Sequence, residues 1–98
     1  YKVITREDPS CAQISLVMGS NNDHWLENVK LAVAVQQKLT DMSPTLMRPL
    51  TLRNSNYNQH LTTGSMLVEI GAAGNSLDEA LRAAGLFAAG FAQVITGT

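Results

Sequence analysis

Met66-Leu67-Val68-Glu69-Ile70-Gly71 is the segment that says most about the fold of this chain. Its apolar residues form a run that is too short for a helix and typical of a strand buried on both faces. A carboxylate inside such a strand is costly unless it is paired, protonated or used in chemistry. Glu69 is therefore a candidate functional residue, and the alternative is a structural ion pair with Arg53 or Arg48.

A histidine precedes this strand. The string Tyr57-Asn58-Gln59-His60-Leu61 is followed by a short turn, Thr62-Thr63-Gly64-Ser65, which returns the chain to Glu69. One imidazole and one carboxylate are thus expected at the same end of a sheet, where metal-assisted hydrolysis is often assembled. A single histidine is more often a hydrogen-bonded structural residue or a surface residue than a metal ligand. His60 and Glu69 by themselves therefore do not make a metal site.

The residues after the strand predict a tight turn and a helix. Gly71-Ala72-Ala73-Gly74 is expected to form the connection, and Ser76 with Glu79 fits a capping box that begins the last helix. A phosphate-binding loop is the alternative interpretation of the glycine-rich turn. It is disfavoured because the stretch has neither the G-x-G-x-x-G spacing nor the Walker lysine.

A second helix is predicted in the first half of the chain. Apolar residues keep helical spacing from Trp25 to about Met42, with Asn22 or Asp23 as the N-cap and Ser43-Pro44 as the end. His24 lies beside this cap. We expect it to face solvent rather than to serve as a second metal ligand.

The other strands complete the fold class. Residues 1–7, 12–18 and 46–52 are expected to be extended, and Pro49 makes the last of these an edge or irregular strand. Strands that alternate with helices indicate an α/β domain with a layered, mixed sheet flanked by helices.

Composition limits the possible partners. The chain has 98 residues, enough for one small domain, and a net charge of −1 without a basic run, which argues against nucleic acid. The lone Cys11 excludes an intrachain disulfide, and residues 83–98 are too short and too broken for a membrane span. The chain opens with neither a signal peptide nor an initiator Met, so we expect it to begin inside a longer protein.

Several motifs in this order resemble the stage II sporulation protein P family, bacterial peptidoglycan hydrolases related to the zinc-dependent N-acetylmuramoyl-L-alanine amidases. The resemblance covers roughly residues 12–90 and implies that residues 1–98 are the C-terminal part of a single amidase-like catalytic domain. The motifs that carry it are Met18-Gly19-Ser20-Asn21-Asn22, Arg48-Pro49, Tyr57-Asn58-Gln59-His60-Leu61, Leu67-Val68-Glu69-Ile70-Gly71 and Gly74-Asn75-Ser76-Leu77.

The resemblance also assigns roles to individual residues. It implies that His60 is a zinc ligand and that Glu69 is the catalytic glutamate beside the metal, while the other ligands, a His and a Glu, lie in an N-terminal half outside this sequence. Because a catalytic zinc needs about three protein ligands, this chain alone is expected to be inactive. Asn58 or a backbone carbonyl is expected to fix the tautomer of His60. Asn21, Asn22 and Arg53 are candidate substrate contacts.

The activity implied is hydrolysis of the amide between the lactyl group of the glycan and the stem peptide, and the family is also credited with endopeptidase activity. The implied partners are peptidoglycan and other sporulation cell-wall machinery. The implied location is the cell envelope, outside the cytoplasmic membrane, with a full-length parent that can be membrane-anchored. Two alternatives remain: a non-catalytic module that binds cell wall or a partner, and a nucleotide-binding half-domain, which the missing phosphate-loop residues disfavour.

Overall fold

The computed structural model describes residues 1–54 and 66–97. Within them the elements follow the order β1 (Ile14–Gly19), α1 (Trp25–Met42), β2 (Thr51–Arg53), β3 (Leu67–Ile70) and α2 (Leu77–Thr96). The strands form one sheet in the order β2-β1-β3, in which β2 is parallel and β3 antiparallel to β1. The predicted α/β fold with a mixed sheet and flanking helices is confirmed.

The hydrophobic core lies on one face of the sheet. Alternate residues of β1, namely Ile14, Leu16 and Met18, are fully buried and pack in one cluster with residues of both helices. Alternation along a strand sends Ser15 and Val17 to the opposite face. Neither described helix packs there, and we call this side the helix-free face.

Strand β3 differs from its prediction. We expected a strand buried on both faces, but β3 lies at the edge of the described sheet and Glu69 is exposed. Val68 and Ile70 are partly buried against the core. The physical reason is that Val68 and Ile70 face the side of the sheet that the described helices cover, whereas Glu69 lies on the opposite side at the edge of the sheet.

The extended segments are shorter than predicted. Residues 1–7 form no regular strand; they contribute a single bridge between Ile4 and Ala12, next to a turn in which the Cys11 amide donates to the Asp8 carbonyl at 2.9 Å. Of residues 46–52, residues 51–52 belong to the predicted edge strand β2, and Met47 adds an isolated parallel bridge to Ile14.

The helix ends are partly as expected. The N-cap of α1 is His24, without a side-chain cap, so the prediction of Asn22 or Asp23 was wrong. The Asn22 side chain instead folds the preceding loop, accepting from the His24 amide at 2.9 Å and donating to the Gly19 carbonyl at 3.1 Å. The end of α1 at Ser43 and the Ser76–Glu79 capping box of α2 are confirmed.

The connection between β3 and α2 is the predicted tight turn. Gly71 has a φ of 76°, a left-handed conformation that favours glycine. The Gly74 amide donates to the Tyr1 carbonyl at 2.6 Å, so this loop amide is not available to cradle a phosphate. A Cβ at Gly74 would collide with the backbone of Tyr1, which explains the second glycine.

Candidate functional site

Three side chains of different chemistry stand in one row across the helix-free face. Ser15 and Glu69 are paired across β1 and β3. On the other side of β1, Met47 bridges Ile14 and the Arg48 amide donates to the Ile14 carbonyl at 2.8 Å, so Arg48 stands level with Ser15. Arg48 and Glu69 are therefore about two strand spacings apart, roughly 10 Å between their backbones.

This row opens into a shallow cavity. The cavity has a volume of about 320 Å³, and Glu69 is the only carboxylate among the described residues that line it. Two guanidinium groups share the cavity with this carboxylate. The described lining residues are Ser15, Val17, Arg48, Pro49, Thr51, Arg53 and Glu69.

The structure contradicts the alternative prediction that Glu69 forms an ion pair with Arg53 or Arg48. The ion pairs among the described residues join Lys2 to Glu79 and Arg82 to Asp8, and none joins Glu69 to an arginine. The register explains this for Arg53, which is paired with Gly19 at the far end of β1, about 13 Å along the strand from Ser15. Glu69 is thus an exposed carboxylate, and burial within the strand is not what makes it a candidate.

The predicted zinc ligand belongs to a part of the chain that the structure does not describe. His60, Tyr57 and Asn58 lie outside the described residues, so the proximity of His60 to Glu69 stays a prediction. In the described part of the chain, no group of three or more His, Cys, Asp or Glu side chains could hold a metal ion. The described residues therefore do not by themselves fit a zinc ion.

The remaining predicted contacts divide into two groups. Arg53 lines the cavity, whereas Asn21 and Asn22 are not among its described lining residues.

His24 is half-buried at the start of α1 rather than facing solvent. Sequence reasoning did not single out Ser15; the signal was a polar residue between two buried aliphatic residues of β1.

A side-chain network behind β3 was also missed. The Asn75 Oδ1 accepts from the Ala72 amide at 2.8 Å and from the Val3 amide at 3.1 Å, and its Nδ2 donates to the Val3 carbonyl at 3.1 Å. The Asn75 side chain thus forms with the Val3 backbone the two hydrogen bonds that a neighbouring strand would form. This pairing holds the N-terminal segment against the turn that follows Glu69.

Glu79 continues this network. Its carboxylate accepts from Lys2 Nζ at 2.8 Å, from the Ser76 amide at 2.8 Å and from Asn75 Nδ2 at 3.0 Å. The Lys2 hydrogen bond, followed by those from Ser76 and Asn75, lowers the pKa of Glu79 to about 2. The charged form of Glu79 is therefore the one that fastens the start of α2 to the N-terminal segment.

A second carboxylate anchors the segment that leads to Arg48. Glu7 accepts hydrogen bonds from the Thr45 hydroxyl at 2.5 Å, the Thr45 amide at 3.0 Å and the Ser43 hydroxyl at 2.7 Å. The bonds from the Thr45 and Ser43 side chains lower the pKa of Glu7. The backbone on both sides of the Arg48–Ser15–Glu69 row is thus held by charged hydrogen-bond networks.

No described helix is both long enough and apolar enough to cross a membrane. The longest, α2, carries Asp78, Glu79 and Arg82 in its first half.

Comparisons with known proteins point to one family. The model of the family "Stage II sporulation protein P" matches residues 3–92. The protein named "Stage II sporulation protein P" from Bacillus subtilis (strain 168) is 30% identical over 95 residues, covering 92% of this chain and 24% of the relative. The chain thus spans about a quarter of the length of that curated relative. No solved structure matches the chain.

Proposed function

Because the chain belongs to the stage II sporulation protein P family, a family of sporulation proteins, we propose that it forms the C-terminal part of a peptidoglycan hydrolase. The proposed activity is that of a zinc-dependent N-acetylmuramoyl-L-alanine amidase. One observation carries the proposal: Glu69, to which the family resemblance assigns the role of catalytic glutamate, is an exposed carboxylate on the helix-free face and lines a cavity there.

Glu69 has the properties that a general base needs. It is open to solvent and is not tied up in an ion pair with another described residue. A carboxylate so placed can take a proton from the water that attacks the amide carbonyl and pass it to the departing amine. The reaction then breaks the C–N bond and leaves a carboxylate on the lactyl group and a free amine on the peptide.

The metal part of the proposal rests on the family resemblance. His60 would be one zinc ligand, and the resemblance assigns the other two, a His and a Glu, to a region N-terminal to this sequence. When bound, zinc would lower the pKa of the attacking water and polarise the scissile carbonyl. Residues 1–98 alone would lack that ligand set and would be inactive.

The substrate, partners and location are proposed on the same grounds. The substrate is peptidoglycan, with the lactyl–peptide amide as the primary bond and a stem-peptide crosslink as a second one. The site of action is the cell envelope, outside the cytoplasmic membrane, beside other sporulation cell-wall proteins and within a parent protein that can be membrane-anchored. The net charge of −1 gives no reason to expect nucleic acid as a partner.

The substitution Glu69→Gln in the complete catalytic protein tests this function. It keeps the size of the side chain and removes the proton acceptor, so release of stem peptide from purified sacculi should fall by on the order of 10²–10⁴-fold, with zinc content unchanged. Glu27→Gln is the matched control, since Glu27 is an exposed carboxylate on α1 and does not line the cavity.

Two other results would change the role of Glu69 or the proposed function. A loss of zinc in Glu69→Gln would make Glu69 a ligand instead of a base. A wild-type protein that binds sacculi without releasing peptide would favour the alternative, a non-catalytic wall-binding module.

A further inference from the structure

We propose that Arg48 binds a carboxylate group of the peptide substrate and so makes the site selective for acidic peptides. This inference rests on the proposed function, because it concerns the substrate that Glu69 acts on. It adds a specificity residue on the opposite side of the same cavity.

The first argument is the state of the Arg48 side chain. Arg48 is half-buried and lines the cavity, yet no described residue forms an ion pair or a hydrogen bond with its guanidinium group. Two other described cations have carboxylate partners: Lys2 pairs with Glu79 at 2.8 Å and Arg82 with Asp8 at 3.3 Å. A guanidinium group at the wall of a cavity can donate charge-assisted hydrogen bonds to an anionic ligand that enters it.

The second argument is that the Arg48 backbone is held in place from two sides. The Arg48 amide donates to the Ile14 carbonyl at 2.8 Å, and its carbonyl accepts from Gln36 Nε2 at 2.9 Å. Both bonds involve backbone atoms of Arg48 and leave its side chain unused. The chain thus presents the guanidinium from a rigid position, which is how specificity residues are usually held.

The third argument is charge. The described lining of the cavity has two arginines and one glutamate, hence a net charge of +1 with Glu69 included. Guanidinium groups match carboxylates in a planar, two-bonded geometry that a neutral amide cannot reproduce. The cavity therefore favours an anionic peptide.

The fourth argument is distance. The backbones of Arg48 and Glu69 are roughly 10 Å apart across β1, and an extended peptide advances about 3.3 Å per residue. The Arg48 side chain itself spans part of this distance. A carboxylate within one to three residues of the scissile amide would thus meet Arg48 while that amide lies near Glu69.

The test compares two forms of one substrate in the complete catalytic protein. The substrate is a soluble disaccharide–peptide fragment of the wall, prepared with its free carboxylates and again with the same carboxylates converted to amides. Cleavage is measured for the wild type, Arg48→Gln, Arg48→Lys and the control Arg82→Gln, which removes an arginine that pairs with Asp8 outside the cavity. Circular dichroism melting verifies that each variant is folded.

The proposal expects Arg48→Gln to raise KM about 10- to 100-fold for the carboxylate form, with kcat changed little and KM for the amidated form unchanged. Arg48→Lys should lie between Arg48→Gln and the wild type, and Arg82→Gln should match the wild type. Equal KM values in the wild type and Arg48→Gln, or an equal rise for both substrate forms, would overturn it.

If the wild type cleaves neither form, it is the proposed function that fails. Calorimetric titration of the two fragments then decides the inference by itself. Weaker binding of the carboxylate form to Arg48→Gln supports a role for Arg48, and equal binding to both proteins refutes it.

Discussion

Ser15 and Glu69 are directly opposite each other in the antiparallel pair of β1 and β3. Residues opposed in this way project to the same face of the sheet, with Cβ atoms about 5 Å apart. Because serine is small, it leaves space beside the Glu69 carboxylate, and the cavity lies there. This pairing at the edge of the sheet leaves Glu69 accessible to solvent.

The Glu69→Gln substitution should leave stability nearly unchanged. Glu69 is exposed and has no ion pair with a described residue, so the free energy of unfolding should change by less than about 0.5 kcal/mol. Urea unfolding of the variant and the wild type measures this, with Leu16→Ala as a reference that should cost about 2–5 kcal/mol because Leu16 is fully buried. A loss above about 2 kcal/mol in Glu69→Gln would show that the carboxylate has a structural partner.

The His60→Ala substitution should lower both zinc content and activity in the complete catalytic protein. Losing one of about three protein ligands removes both the geometry and the affinity of an open zinc site. Metal analysis and peptide release from sacculi measure the two effects, and His24→Ala is the control because His24 caps α1 and does not line the cavity. Full metal occupancy with wild-type turnover would mean that His60 is not a ligand.

Acid should loosen the junction between the N-terminal segment and α2. The pKa of Glu79 is lowered to about 2 in the folded chain, from an ordinary value of 4.5, mainly by its hydrogen bond from Lys2. A depressed pKa contributes stability that is complete above about 4.5 and is lost as the pH falls to about 2. Urea midpoints at a series of pH values should therefore show the wild type losing its advantage over Glu79→Gln across this window. An advantage that persists below pH 2 would contradict the assignment.

Two glycines of α2 should respond in opposite directions to substitution by alanine. A Cβ at Gly90 would collide with Leu39 and approach the Met42 sulfur at 3.2 Å, whereas a Cβ at Gly85 would meet nothing within 4 Å. Gly85→Ala should thus raise the free energy of unfolding by about 0.5–1 kcal/mol through helix propensity, and Gly90→Ala should lower it by about 1–3 kcal/mol through overpacking. Thermal melting compares the two, and a stabilising Gly90→Ala would show that α1 and α2 can separate without cost.

Much of the local structure followed from the sequence alone. The span of α1, its end at Ser43-Pro44, the Ser76–Glu79 capping box and the tight turn at Gly71 all depend on residues close to one another in the chain. Local propensity and capping therefore sufficed to predict them. The α/β class followed from the same alternation of elements. The family followed from short motifs whose order the sequence preserves.

The surroundings of Glu69 were decided by tertiary structure. An apolar run next to a carboxylate looks the same in a central strand and in an edge strand, so the sequence could not reveal that β3 pairs only with β1 among the described strands. Whether Arg48 and Arg53 would pair with Glu69 depended on the strand register, which brings Arg48 level with Ser15 and puts Arg53 beside Gly19. Register and sheet order arise from contacts between residues distant in sequence. For that reason only the folded chain determined that Glu69 is open to solvent, with an arginine facing it across β1.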